Sequence, residues 1–191
     1  MNKTLNKNSL LRYSRQIILK DIGIVGQKKI RNSKILIVGI GGLGCPVADL
    51  LTRAGVGEIG IIDYDKVNLS NIHRQTLFSA RDVGKFKAKT AKKRLNLINK
   101  EVKIKTFNKK AEEKILKKII NEYEIIVDGS DNFKTKFLLN KISIKYKKKL
   151  IVGAISKFDG HIFVFDFSEK KSPCLKCFYQ TEPSDEILNC E

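Results

Sequence analysis

At 191 residues, 42% of them hydrophobic and 30% charged, the chain is long enough to bury one core, with room for a small appendage. No stretch approaches the roughly 20 apolar residues of a membrane span, MNKTLNKNSL lacks the apolar run of a secretory signal, and four cysteines are too few and too uneven for a disulfide framework, so a soluble cytoplasmic protein is expected. The formal charge of +18 rests on 31 lysines against 7 arginines; solvated lysine faces explain it better than an Arg-rich nucleic-acid surface, though an acidic protein partner would be attracted.

Apolar residues recur at helical spacing from Ser9 to Ile18 and again around Val25 to Ile30, which predicts two short opening helices in residues 1–32. Lys34 to Gly39 is then a short apolar strand ending in glycines, followed by a helix over Leu43 to Ala54 and a second strand over Ile59 to Asp63. The spacing allows one right-handed crossover, so these three elements form a βαβ unit. Alternation continues with a lysine-rich helix (Lys85 to Ile98), a strand (Val102 to Phe107), a helix (Ala111 to Ile120), a strand (Glu124 to Asp128), a helix (Phe133 to Lys145) and a buried strand (Leu150 to Gly153). The expected fold is α/β, a Rossmann-like doubly wound, mostly parallel sheet over 33–156 with helices on both faces. Residues 157–191 differ: His161 to Phe167 alternates as an antiparallel strand, and a polar cysteine-bearing segment without clear periodicity follows. With no internal repeat or linker, the whole of 1–191 reads as one domain.

Gly39-Ile40-Gly41-Gly42-Leu43-Gly44 fits G-x-G-x-x-G and sits between a strand and a helix. Glycines there permit a tight turn and close approach of phosphate to backbone, while the helix amides favour an anion. Asp63 follows Gly44 by 19 residues, close to the offset of about 20 of a ribose-binding carboxylate. A nucleotide is the expected ligand, and a nicotinamide cofactor would satisfy these features alone.

Other residues favour a polyphosphate. Arg74, in the polar loop 68–75, and Lys87, near the next helix start, could neutralise a triphosphate, although Lys87 also reads as a solvated helix lysine. Asp131 follows a parallel strand on the edge where open sheets bind ligands, and could hold Mg²⁺; alternatively it or Ser130 caps the next helix. Asp128 suits a structural role, and Cys45, inside the glycine turn, a core one.

Taken together, LLRYSRQIIL (10–19), the segment from Ile35 to Phe78, VGKFKAK (83–89), DGSDNF (128–133) and the Cys174/Cys177 pair resemble the ThiF/MoeB/HesA group of ubiquitin-activating-enzyme-like adenylyltransferases, nearest its molybdopterin-synthase branch. The resemblance covers nearly the whole chain. It implies that Gly39, Gly41, Gly42 and Gly44 form the phosphate turn with Gly42 in contact, that Asp63 binds ribose, and that Ser70, Asn71, Arg74 and Lys87 line an ATP site. It also implies Asp131 on Mg²⁺, Asn132 near the base, and Arg15 inserted into the neighbouring subunit of a homodimer. The implied reaction joins ATP to the C-terminal glycine carboxylate of a small ubiquitin-like, β-grasp sulfur carrier ending in Gly-Gly, for molybdopterin or thiamine synthesis, with a sulfurtransferase or cysteine desulfurase acting downstream.

The cysteines depart from the family pattern. A CxxC such as Cys174-Leu175-Lys176-Cys177 pairs there with a second CxxC to hold Zn²⁺, and this sequence has no second one. Zinc is therefore doubtful on the sequence, a C-terminally shortened chain is expected, and Cys190 corresponds to a crossover-loop cysteine that reacts covalently in some members. Two alternatives stay open: a non-catalytic or partner-dependent fragment, and an NAD-dependent oxidoreductase.

Overall fold

The computed structural model describes residues 5–169, 172–181 and 183. Cys190 lies outside the described residues.

Three helices open the chain rather than the expected two: α1 (Lys7–Arg12), α2 (Ser14–Ile17) and α3 (Gly23–Asn32). Tyr13 divides the first stretch. Its backbone leaves the helical region at φ −102 and ψ 11, because its side chain is drawn inward to 2% exposure. The ring lies against Gly55, where a Cβ would come within 2.4 Å of it, and the hydroxyl accepts from Asn99 Nδ2 at 2.8 Å. Burial of one aromatic outweighs a helical period here.

The core then alternates β1 (Lys34–Val38), α4 (Gly44–Ala54), β2 (Glu58–Ile62), α5 (Lys87–Ile98), β3 (Lys103–Phe107), α6 (Glu113–Ile119), β4 (Ile125–Asp128), α7 (Phe133–Lys145) and β5 (Lys149–Ser156), before β6 (Asp159–Asp166) and α8 (Leu175–Tyr179). The sheet order is β3-β2-β1-β4-β5-β6; all pairings are parallel except β5 with β6. This is a Rossmann-like doubly wound sheet.

Side chains of β1 alternate between its two faces. Ile35 and Ile37 join Ala48 of α4 and Leu95 of α5 on one side, while Leu36 and Val38 join Leu116 of α6 and Leu139 of α7 on the other. Both faces are thus covered, which is why the inner strands read as continuous apolar runs. The order reverses between β1 and β4, and two glycine turns meet there. Gly39 has φ +85, and a Cβ on it would stand 2.9 Å from the Gly129 carbonyl oxygen. Ligands bind open sheets in the crevice beyond such a reversal. No helix among the described residues is long and apolar enough to cross a membrane.

Candidate functional site

The strand ends around the reversal enclose a cleft of about 920 Å³, the size of a small-molecule site. Its floor is the turn from Gly39 to Leu43. Gly44 stands behind it, at the start of α4, where an added Cβ would fall 2.0 Å from the Gly39 carbonyl oxygen. It keeps helix and strand close, while Gly41 and Gly42 leave backbone open to the cleft.

Asp63, at the end of β2, ties this turn to the next loop. Its Oδ2 accepts from Ile40 N–H and its Oδ1 from Asp65 N–H, both at 2.8 Å. Burial pushes its pKa up, and these two amides work against that. Lys87, the first residue of α5, is 6% exposed and is therefore not a solvated helix lysine; its Nζ donates to Asp65 Oδ2 at 3.0 Å. Arg74 lies over Gly42, its Cγ and Cδ each 3.5 Å from where a Cβ would stand, and donates to Asn71 Oδ1 at 2.9 Å. Two cations from different segments thus line the same cleft as the turn.

The loop after β4 supplies a further part of the wall through Ser130, Asp131 and Asn132. Neither Ser130 nor Asp131 caps α7. Asn132 does, accepting from Thr135 N–H at 2.9 Å through Oδ1, while its Nδ2 donates to Asp131 Oδ1 at 3.2 Å. Asp131 is exposed on the cleft wall and carries no capping duty. One exposed carboxylate beside a cationic turn fits a hard ion that arrives with phosphates, since Mg²⁺ takes one or two carboxylates plus substrate oxygens. It does not make an all-protein metal cage, and among the described residues no group of three or more His, Cys, Asp or Glu could hold an ion.

Ser70 is not among the residues that line the cleft, and its N–H and Oγ both donate to Asn68 Oδ1 at 3.0 and 3.1 Å. Arg15 is exposed on α2 and does not line the cleft of its own chain. Cys45 is fully buried, donates to the Ile40 carbonyl at 3.3 Å, and has its pKa pushed up to about 11 by burial; it is a core thiol. Cys174 and Cys177 bring their sulfurs to 3.5 Å, close to one edge of a tetrahedral thiolate site, about 3.8 Å for Zn–S bonds near 2.3 Å.

Sequence reasoning passed over two residues here. Gln75 is 4% exposed and lies beside Arg74 on the turn. Lys136, 1% exposed, donates to the carbonyls of Ser130 and Gly153 at 2.7 Å each and faces Asp128 Oδ2 at 3.3 Å. Its only sequence signal is its place one turn into α7, four residues after the Asn132 cap.

The profile of the ThiF family matches residues 13–191. The chain belongs to the ThiF family. The adenylyltransferase and sulfurtransferase MOCS3 of Culex quinquefasciatus is 40% identical over 187 residues, which are 97% of this chain and 42% of that protein. The Drosophila virilis protein of the same name is 40% identical over 188 residues, 98% of this chain and 41% of its own length. The chain therefore spans less than half the length of these curated relatives. Among solved structures, E. coli MccB with ATP superposes at a TM-score of 0.78 with 29% identity, covering 92% of this chain and 53% of that one. The E. coli tRNA N6-threonylcarbamoyladenosine dehydratase TcdA in complex with AMP gives 0.75 and 26%, covering 82% and 65%.

Proposed function

We propose that this chain is the nucleotide-binding part of an adenylyltransferase that uses ATP to activate the C-terminal carboxylate of a small ubiquitin-like sulfur carrier. The observation that carries the reading is that Arg74, lying over Gly42, and Lys87, tied to Asp65, line one cleft with the glycine turn and the exposed carboxylate of Asp131. A hydride-transfer cofactor does not need that constellation, whereas a triphosphate accompanied by Mg²⁺ does. The 40% identity to a protein named adenylyltransferase and sulfurtransferase supports the carrier as substrate class.

In the reaction a carboxylate oxygen of the carrier's last glycine attacks the α-phosphorus of ATP. The bond from that phosphorus to the oxygen bridging to the β-phosphorus breaks, pyrophosphate leaves, and the carrier becomes an acyl-adenylate. No protein nucleophile takes part. Arg74 and Lys87 neutralise charge on the departing phosphates and the Gly41–Gly42 backbone admits them; Asp131 would hold a Mg²⁺ ion arriving with the phosphates, which would supply further charge neutralisation. Asp63 fixes the turn and faces the ribose. Rate enhancement then comes from positioning and preorganised electrostatics. Arg15 acts from the second copy of a homodimer, and sulfur transfer to the adenylate follows, for molybdopterin or thiamine, in the cytoplasm.

A partner-dependent fragment is the second reading, favoured by the share of the relatives' length that this chain spans. Apolar side chains exposed in the N-terminal region, Leu11 (77%) on α1, Ile18 (71%) just after α2 and Val25 (69%) on α3, also suit a partner.

Asp131→Asn tests the main reading. Since Asn132 caps α7, the substitution should leave the melting temperature unchanged. ATP–pyrophosphate exchange with a Gly-Gly carrier should fall on the order of a hundredfold, as loss of one preorganised electrostatic contact raises the barrier by about 3 kcal/mol. If the isolated chain shows no exchange, the same comparison is made in the full-length context. Exchange at the wild-type rate refutes the metal role, and calorimetry showing NAD bound more tightly than ATP refutes the adenylyltransferase.

A further inference from the structure

Arg74 and Gln75 are neighbours in the chain and lie over neighbouring glycines. Gln75 Nε2 is 3.7 Å from where a Cβ on Gly41 would stand, just as the Arg74 methylenes cover Gly42. The arginine's charge has an evident use in this cleft. The glutamine does not.

Its backbone is firmly placed, with the N–H donating to Asn71 O and the carbonyl accepting from Phe78 N–H, both at 3.0 Å. Its side chain is not held in the same way. Gln75 forms part of the cleft floor at 4% exposure, and its Oε1 is buried with no hydrogen-bond partner among the described residues. A buried amide oxygen without a partner weakens a fold relative to an apolar side chain of the same shape. The fold's own needs would be met better by methionine or leucine. The orphaned oxygen gains nothing from an anion, so the use of a carboxamide here must lie at its other end, where the NH₂ group meets the glycine turn on the cleft floor.

The chemistry of the two carboxamide ends selects the ligand group. Phosphate oxygens only accept hydrogen bonds, so a phosphate needs the NH₂ end, and that is the end lying against the glycine turn. Arg74 and Lys87 bring charge to the same cleft. A neutral donor beside Arg74 adds direction without adding repulsion.

We propose that Gln75 is a phosphate-contacting residue of the nucleotide site, its Nε2 donating to a phosphate oxygen held against Gly41. This rests on the reading of the cleft as an ATP site.

The test compares wild type, Gln75→Met and Gln75→Glu by calorimetry with ATP·Mg²⁺, AMP and adenosine, and by thermal unfolding without ligand. Gln75→Met removes an unpaired buried amide oxygen, so its melting temperature should equal or exceed that of wild type. Its affinity for ATP·Mg²⁺ should fall about tenfold, the size of one hydrogen bond to a charged acceptor, with a loss for AMP and none for adenosine. Gln75→Glu sets a carboxylate against the phosphate and should lose more ATP affinity than Gln75→Met, the more so with Mg²⁺ chelated. Unchanged ATP affinity in Gln75→Met overturns the proposal alone, while wild type that binds neither ATP nor AMP overturns the site reading as well. A Gln75→Met protein that unfolds or melts well below wild type, or that loses adenosine equally, shows a structural role and overturns it too.

Discussion

Lys136→Met is the substitution whose consequences the structure fixes most tightly. Lys136 and Asp128 have side chains 1% and 0% exposed, with 3.3 Å between Nζ and Oδ2. Asp128 Oδ1 accepts from the N–H and hydroxyl of Ser130 at 2.9 and 2.6 Å. Burial pushes the Asp128 pKa up, and Lys136 is the leading influence against it. Methionine keeps most of the volume but leaves a buried carboxylate without its cation, and takes the donor from the Ser130 and Gly153 carbonyls. Removing one partner of a buried pair typically costs about 3–5 kcal/mol, which in a chain of this size lowers the melting temperature by roughly 6–20 °C.

The pH dependence has a defined sign. With the cation gone, Asp128 has a folded-state pKa raised further above its unfolded value, so the folded state favours the protonated acid. The penalty is absent below the unfolded pKa and grows as pH rises toward the folded one. Urea unfolding at pH 5 and pH 8 should therefore show the larger loss at pH 8. Adding Asp128→Asn removes the orphaned charge and should recover most of the loss. A Lys136→Met protein within about 1 kcal/mol of wild type at pH 8, or a double variant no more stable than the single one, would falsify the buried-pair account; a change below that size is ordinary for exposed sites.

Two glycines of the same turn should separate folding from binding. Gly44→Ala drives a methyl to 2.0 Å from the Gly39 carbonyl and should destabilise by about 3 kcal/mol or more, seen as a lowered denaturation midpoint. Gly42→Ala meets only the Arg74 side chain at 3.5 Å, so stability should stay within about 0.5 kcal/mol while calorimetry shows ATP binding weakened by the methyl in the phosphate's approach; equal stability losses in the two variants would contradict these roles. Cys45, fully buried with its pKa pushed up to about 11, should resist iodoacetamide at pH 8 in the folded protein and react in urea, whereas exposed Cys177 reacts in both. Residue-resolved mass spectrometry decides, and early labelling of Cys45 would refute a core role.

The parts of this fold that are legible in the sequence are those where local pattern and tertiary burial demand the same residues. Buried parallel strands need apolar runs on both faces, so β1, β2 and β4 stand out, and the glycine turn is legible because only glycine fits where Gly39 meets Gly129. The two misplaced features have separate causes, one a contact distant in sequence and the other a turn without its usual residues. Tyr13 breaks a periodic helix for the sake of Gly55 and Asn99. The β5–β6 hairpin turns at Lys157, with φ 53 on a residue that carries no turn signature, so both strands run longer than their patterns suggest. The α8 helix is five residues long, too short for periodicity to register. In the site, Arg74, Lys87 and Asp131 are visible as charge after strand ends. Gln75 and Lys136 are not, because a buried polar residue has the same letter as a solvated one, and only packing tells them apart.

Asp63 carries the remaining step, because a ribose-binding carboxylate and a structural one make different demands. Both of its oxygens already accept a backbone N–H, and each retains a further acceptor position. It can therefore meet a sugar hydroxyl while still holding the turn. The same side chain links Ile40 in the turn to Asp65, and Asp65 holds Lys87, so a chain of hydrogen bonds fixes the cation relative to the phosphate floor before any ligand arrives. Donors set in advance need little reorganisation when charge develops on a leaving phosphate, and this is the condition under which electrostatic stabilisation is largest. The Gly39–Gly44 turn and Asp63 on their own would serve a dehydrogenase equally well. What favours adenylyl transfer is that this chain of hydrogen bonds ends on a buried lysine rather than on solvent.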